Sequence, residues 1–428
     1  MLRSLAAFLL VFALGVLAVG FTFSASTRGP ADFTLINGTE PKTLDPGLMT
    51  GEPEGRVAEG LFEGLARLEA RTLEPVPAAA RSWQISPDGT RYVFELRPEA
   101  RWSDGRPVTA HDFAYSWRRL QEPALGAEYA YILHMVRYAE AYNTYEGQAK
   151  QLEKEIVPGI ATLRAAHASG VPAKVWKEFL AKNPIHSAIK GTPDPLLAKF
   201  LGEREPALDA ASLLALENAL RAEGRRRREA YEEAKRRFGV DGGVFAQSDH
   251  TLVVELVAPT PYFLEIAAFY PSFPVPRWLV EKSSKDWFLP EKIVSNGAFR
   301  LAEWRVGDRI RLERSETYWG KNEVKMSSVD ILPTENLTTS LNLYLSGSVD
   351  WIPNGRYPMD LADSLKGRKD FYIGPALAVY YYRINTTRKP FDDARVRKAL
   401  NLAVDREQIT RDVLGLGQIP ARYIVPPG

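Results

Sequence analysis

The stretch from Ala100 to Leu120, ARWSDGRPVTAHDFAYSWRRL, sets His111 beside Asp112 between two tryptophans, Trp102 and Trp117. An imidazole next to a carboxylate is the pairing that both general acid–base catalysis and metal ligation use. Either chemistry needs a further partner. A metal site would require a second histidine or carboxylate at ligand spacing, and His134, His167, His186 and His250 are scattered without one. Thr109 followed three residues later by Asp112 fits a capping-box variant, and Phe113, Trp117 and Leu120 fall at helical spacing. The residues therefore read as a helix start. His111 lies in the first turn, Asp112 is favoured there by the helix dipole, and Trp102 belongs to the core.

Other catalytic signals are thin. There is no G-x-S-x-G elbow, no Gly-rich phosphate loop and no H-E-x-x-H helix. Carboxylates are plentiful, 53 Asp and Glu together, but nothing selects an acid–base pair among them. No catalytic residue, metal ligand or cofactor is assigned. The total lack of cysteine excludes thiol catalysis, disulfides, Cys-based zinc sites and a lipid-modified N-terminal cysteine.

The elements that must position these residues come from a chain of 428 residues, long enough for two or three domains. A hydrophobic content of 45% and a charged content of 25% are those of a folded protein. The net charge of only +2 gives no reason to expect nucleic acid as a partner. The N-terminus, MLRSLAAFLLVFALGVLAVGFTFSAS, carries Arg3 and then an apolar run from Leu5 to Phe23. Residues 1–26 are either an export signal with a mediocre cleavage site or a membrane anchor.

Beyond the leader, strand and helix signals mix throughout, without a fixed-period repeat. A strand is predicted at Phe33 to Ile36, and Val57, Leu61 and Leu65 step by four along an amphipathic helix whose glycines permit close packing. Tyr92, Phe94 and Leu96 alternate with Val93 and Glu95, and Leu252, Val254 and Leu256 share a face. A hairpin is predicted from Phe299 to Glu313, with Ile310 and Leu312 alternating against Arg309, Arg311 and Glu313. SSVDILPT and GSVDWIP read as short strands around a helix near Leu337 to Ser346. Residues from about Gly147 to Gly239 are rich in Ala, Leu, Glu, Lys and Arg and read as an inserted helical subdomain. Its basic cluster, Arg225 to Arg228, is followed by Glu229, Glu232 and Glu233 and reads as a solvated helix face.

The opening stretch also resembles the signature of the extracellular solute-binding proteins of peptide and nickel ABC importers, family 5. The matching residues are Trp102, Asp104, Gly105, Pro107, Thr109, Ala110, Asp112, Phe113, Tyr115 and Ser116. Four further segments are similar to the same family in the same order: TLDPGLMTGEPEGRVAEGLFEGL, HTLVVELVAPTPYFLEIAAFYPSFPVP, IVSNGAFRLAEWRVGDRIRLERSETYWG and YYYRINTTRKPFDDARVRKALNLAVDRE. The nearest likeness is to the oligopeptide-binding branch. It implies an α/β, periplasmic-binding-protein-like (type II) two-lobed fold with an extra small domain, whose C-terminal part this sequence lacks. The implied limits are 31–62 and 277–378 for lobe I, 63–276 for its extra domain with the insertion at about 147–239, and 379–428 for the start of lobe II.

By the same resemblance the protein is a non-enzymatic, monomeric periplasmic receptor. It would bind oligopeptides in a hinged cleft and deliver them to an ABC permease in the inner membrane. Main-chain bonds would hold the peptide while wet pockets tolerate its side chains. The motif positions point to Thr50, Gly51 and Glu52 as a cleft-lining turn. Tyr129 and Tyr131 would be an aromatic wall, Asn354 a residue near ligand, and Tyr380, Tyr381 and Tyr382 the crossing to the second lobe. Alternation turns Tyr381 away from its two neighbours, so at most one face of the triplet meets ligand. Two other readings stay open: the same fold taking a sugar, haem or nickel chelate, and a membrane-anchored scaffold or signalling protein. The sequence departs from the family in its long insertion and in the loss of a cysteine pair, with Ala378 at one matching position. It also stops at ARYIVPPG, so that the acidic anchor for a peptide's amino terminus is expected beyond Gly428 and the second lobe would expose edge strands and apolar surface.

Overall fold

Short strands punctuated by Gly, Asn and Pro assemble into two four-stranded sheets in the computed structural model, which describes residues 29–183, 185–202, 209–283, 285–353, 355–374 and 379–423. The described residues up to Thr334, with Val349–Trp351, form one compact unit; Glu335–Ser348 and those from Ile352 onward form a second. The strands all belong to the first unit: β1 (Phe33–Ile36), β2 (Ala66–Leu68), β3 (Pro75–Pro77), β4 (Ala80–Ile85), β5 (Arg91–Leu96), β6 (Val244–Ala246), β7 (Thr251–Glu255), β8 (Phe299–Arg305), β9 (Arg309–Arg314) and β10 (Ser328–Leu332). One sheet runs β1-β10-β9-β8, with β1 parallel to β10 and the rest antiparallel; the other runs β4-β5-β7-β6, antiparallel throughout. Strands β2 and β3 make a small ribbon of their own.

Helices α1 (Glu52–Leu61) and α2 (Ala110–Leu120) cover these sheets. Val57, Ala58 and Leu61 of α1 share a core with Leu301, Ile310, Leu312, Val329 and Ile331 of the first sheet. Phe113, Trp117 and Leu120 of α2 share it with Phe94, Leu96, Leu252 and Val254 of the second. Each buried side chain of this size stabilises by roughly 1.5–3 kcal/mol, which is what fixes the helices on the sheets. The alternation in β5 is as expected, with Tyr92, Phe94 and Leu96 buried. In β7 Leu252 and Val254 are buried on the face they were expected to share, and Val253 on the opposite face is equally buried. Strand β7 lies between β5 and β6 and is covered on both faces.

Two expectations are corrected. In β9 the face opposite Ile310 and Leu312 is covered as well at Arg311, which is only 4% exposed and whose guanidinium donates to Asp330, its direct cross-strand neighbour, at 2.7 Å. A cation can take a strand's inner position when its counter-ion sits in register beside it. GSVDWIP, read as a strand, contributes only an isolated parallel bridge between Trp351 and Leu35.

The long insertion consists of α3 (Glu146–Gln151), α4 (Val157–Ala166), α5 (Ala173–Lys182), α6 (Ile185–Ile189), α7 (Pro195–Gly202) and the 28-residue α8 (Ala210–Arg237). Its core is its own: Leu152, Ile156, Ile160, Trp176, Ile189, Leu213, Leu216 and Leu220 pack together apart from the main core. Within the basic cluster Arg225 and Arg228 face solvent as expected, but Arg227 is fully buried. Its guanidinium bonds Glu223 at 2.7 Å and the Lys190 carbonyl at 2.7 Å. A solvated face was the wrong reading for Arg227 because that side of α8 turns inward.

The chain returns through α9 (Phe263–Ala268) and α10 (Arg277–Lys282). The second unit carries α11 (Leu337–Leu345), α12 (Ala362–Leu365), α13 (Ala394–Ala403) and α14 (Arg406–Gln408). The Asp405 carboxylate accepts the Gln408 N–H at 2.9 Å, the N-terminal half of the box read there. Among the described residues no helix is long and apolar enough to cross a membrane; the apolar leader falls outside them.

Candidate functional site

The His111–Asp112 pair is a helix fixture. The Asp112 carboxylate accepts the Thr109 N–H at 2.8 Å, the Thr109 hydroxyl at 3.1 Å and Trp102 Nε1 at 3.3 Å. Burial pushes its carboxyl above the usual range, while these three donors pull it down. The His111 ring stands 60% exposed, 3.5 Å from the surface carboxylate of Asp249. Trp102 is fully buried and meets Trp278 edge to face. Among the described residues no three His, Cys, Asp or Glu side chains gather as metal ligands do.

A different group of residues converges where α1 begins. The loop before it is fixed by Asp45, fully buried, whose carboxylate accepts two bonds from Arg119 of α2 at 2.9 and 2.6 Å, Trp287 Nε1 at 3.2 Å and the Gly47 N–H at 3.1 Å. A bidentate guanidinium with two more donors leaves that carboxylate one orientation. Nearer the helix, Asn37 donates to the Pro53 carbonyl at 3.1 Å and accepts from Arg56 at 3.1 Å, and Arg56 in turn bonds Glu52 at 3.0 Å. Glu52 opens the first turn, where a negative charge suits the helix dipole, and its side chain is 64% exposed.

Onto this loop close two tyrosines. Tyr129 gives its hydroxyl to the Thr50 carbonyl at 3.0 Å, and Tyr270 gives its own to the Gly51 carbonyl at a longer 3.5 Å. The rings pack on one another, Tyr129 to Phe269 at 5.7 Å, Tyr129 to Tyr270 at 6.3 Å and Phe269 to Tyr270 at 4.5 Å between centroids. Tyr270 fits because Gly55 of α1 has no side chain; a Cβ there would stand 3.0 Å from its ring. Burial and the neighbouring Tyr129 push the Tyr270 phenol well above its ordinary value, so it stays a neutral donor. Tyr131 meets Tyr129 edge to face at 6.2 Å and is itself 61% exposed. The arrangement can present an aromatic surface beside a rigid turn, and holds no nucleophile paired with a base.

The structure thus brings together Thr50, Gly51, Glu52, Tyr129 and Tyr131. It adds Phe269 and Tyr270, which sequence reasoning passed over inside an aromatic, proline-rich run; their density beside Pro271 was the only local signal. Tyr380, Tyr381 and Tyr382 belong to the second unit and are 85%, 49% and 83% exposed. The rings of Tyr380 and Tyr382 meet edge to face at 5.8 Å, while Tyr381 pairs with Arg383, the alternation expected of extended chain. Asn354 and Ala378 lie outside the described residues.

A buried carboxylate was also missed. Glu63, just after α1, accepts the Tyr318 hydroxyl at 2.5 Å and Trp319 Nε1 at 2.7 Å, and Arg97 stacks over Trp319 at 3.7 Å. Burial pushes its carboxyl upward against both hydrogen bonds. Both oxygens are committed to protein donors, which makes it a structural acceptor.

Known proteins share this fold and part of this sequence. The chain is 31% identical over 398 residues to the periplasmic oligopeptide-binding protein OppA of Escherichia coli, covering 92% of this chain and 56% of that one. It is 30% identical over 434 residues to the oligopeptide-binding protein OppA of Bacillus subtilis, covering 99% and 63%. Among solved structures it superposes on Haemophilus influenzae OppA in complex with RPPGFSPFR, with a TM-score of 0.65, 28% identity and coverage of 94% of this chain and 61% of that one. The Escherichia coli murein tripeptide binding protein MppA matches at TM-score 0.65 with 26% identity, over 93% and 60%. The mixed α/β fold is therefore that of periplasmic binding proteins, and the chain spans somewhat over half the length of these relatives. The pattern of the bacterial extracellular solute-binding proteins, family 5, matches residues 74–200 and 204–428, and the chain belongs to that family.

Proposed function

We propose that this chain is part of the substrate-binding component of an ABC-type importer, taking oligopeptides into a hinged cleft and passing them to a membrane permease. The observation that carries the reading is the exposed ring of Tyr131 standing on a fixed base, Tyr129 bonded to Thr50, in a chain about 30% identical to oligopeptide-binding relatives. Such a wall suits a ligand whose side chains vary. Aromatic rings offer contact area without demanding a partner, and the constant amide groups of an extended peptide supply the specific bonds.

In this reading Thr50, Gly51, Glu52, Tyr129 and Tyr131 line the ligand's path, together with Asn354 and one face of Tyr380–Tyr382. Lobe I comprises 31–62 and 277–378, its extra domain 63–276, and lobe II begins at 379. The protein acts as a monomer on the periplasmic or other extracytoplasmic side, without enzymatic activity and without nucleic acid. The test is isothermal titration of the purified protein with RPPGFSPFR and with trialanine, plus mass spectrometry of co-purified ligand. Binding of both peptides supports the reading. Retention of a sugar or metal chelate with no response to either peptide overturns it.

A further inference from the structure

The wall residues Tyr129 and Tyr131 sit on a 3-10 turn, Ala130–Leu133, too short and too poorly bonded to hold a position by itself. Its two ends are held from outside. At one end the fully buried Gln121, just past α2, donates its side-chain amide to the Ala130 carbonyl at 2.7 Å. At the other, His134 Nε2 meets Asn143 Oδ1 at 3.2 Å, and Asn143 Nδ2 donates to the Gln121 carbonyl at 3.2 Å. The bonds close a ring from Ala130 through Gln121 and Asn143 to His134, back to the same turn.

Asn143 lies in a π-turn, Ala141–Tyr145, at the root of the helical insertion. Its neighbour Tyr142 is almost completely buried, stacks on Tyr231 of α8 at 6.2 Å and 9° between planes, and packs on Phe238. The insertion's longest helix therefore bears on the residue next to the clamp. Gln121 Oε1 is buried without a hydrogen-bond partner among the described residues, a cost that leucine would avoid. The amide is accounted for by the bond its N–H makes to the turn.

We infer that Gln121 and Asn143 are positioning residues for the Tyr129–Tyr131 wall, and that through them the helical insertion sets where that wall stands for ligand. The inference rests on the proposed peptide site for its second half only. The test uses the full chain labelled throughout with 3-fluorotyrosine, the Tyr131 line being assigned by its loss in Tyr131→Phe. Gln121→Leu and Asn143→Leu are expected to shift or broaden that line without peptide and leave the Tyr380 line in place. They should also weaken RPPGFSPFR binding by about tenfold, the size of one lost hydrogen bond's worth of placement. If Gln121→Leu does not fold, Asn143→Ala at its half-buried position carries the same test. An unmoved Tyr131 line overturns the positioning role, and a moved line with unchanged affinity overturns its link to binding. Tyr131→Ala separates the two readings: if it leaves affinity intact, the proposed site fails while the line shift still decides the clamp.

Discussion

Tyr129 and Tyr270 each give their hydroxyl to a main-chain carbonyl and pack ring against ring, whereas Tyr380 and Tyr382 stand 85% and 83% exposed and touch chiefly each other. Tyr129, Tyr380 and Tyr382 are candidates for contact with ligand, yet only Tyr129, backed by the buried Tyr270, belongs to a surface already built. A side chain held before binding loses little freedom when ligand arrives, and an exposed one loses it then, at about 0.5–1.5 kcal/mol per side chain. The first unit offers a rigid face; Tyr380 and Tyr382 of the second rest chiefly on each other.

The comparison breaks most readily at the base of the built face. Asp45→Ala removes the shared acceptor of Arg119 and Trp287 and should cost about 3–5 kcal/mol in urea unfolding, since it leaves a mostly buried guanidinium without its counter-ion. A loss below about 1 kcal/mol would show that the loop does not depend on that clamp. Next in size is Tyr131→Ala, expected to weaken RPPGFSPFR binding by at least about tenfold while changing stability by no more than about 0.5 kcal/mol, as befits an exposed ring. Equal losses of stability and affinity would mean that Tyr131 is packing rather than contact.

A sharper contrast uses hydroxyls alone. Tyr129→Phe should lower stability by about 0.5–1.5 kcal/mol, because the Thr50 carbonyl loses its donor, whereas Tyr380→Phe should leave the unfolding midpoint where it is. Matching effects would erase the distinction between the two regions. The smallest effect concerns Glu63, whose carboxyl is pushed up by burial. The folded protein holds that proton more tightly than the unfolded chain, so the group's contribution to stability falls as pH rises through its raised value. Glu63→Gln lacks this titration. The difference in melting temperature, variant minus parent, should become more positive from pH 4 to pH 7, and a flat difference would contradict the assignment.

What could be read beforehand was mostly local. The alternation in β5, the capping pair Thr109 and Asp112, and the helix start at Asp405 depend on residues within a few positions of one another. The likeness of Trp102 through Ser116 to a known signature carried the fold. What escaped depends on partners far along the chain. Tyr270 reaches a carbonyl 219 positions away, and Glu63 is satisfied by Tyr318 and Trp319, 255 and 256 positions on. Arg227 and Arg311 were misread for a related reason. Period and charge predict which side of an element is polar, but buried acceptors can bring that side indoors: Glu223 of the same helix with the Lys190 carbonyl for Arg227, and Asp330 on the neighbouring strand for Arg311. The tyrosine wall was legible in residue type at 129 and 131; its support by Phe269, Tyr270, Gln121 and Asn143 was not.

Acetylation by N-acetylimidazole, followed by mass mapping of each tyrosine with and without saturating RPPGFSPFR, addresses the central claim most directly. Without peptide, Tyr131, Tyr380 and Tyr382 should react and Tyr270 should resist, in line with their exposures of 61%, 85%, 83% and 6%. With peptide bound, Tyr131 should become protected. A Tyr131 that reacts just as fast while peptide saturates the protein would contradict the account, because the ligand would then lie somewhere other than on the wall built from Thr50, Tyr129 and Tyr131.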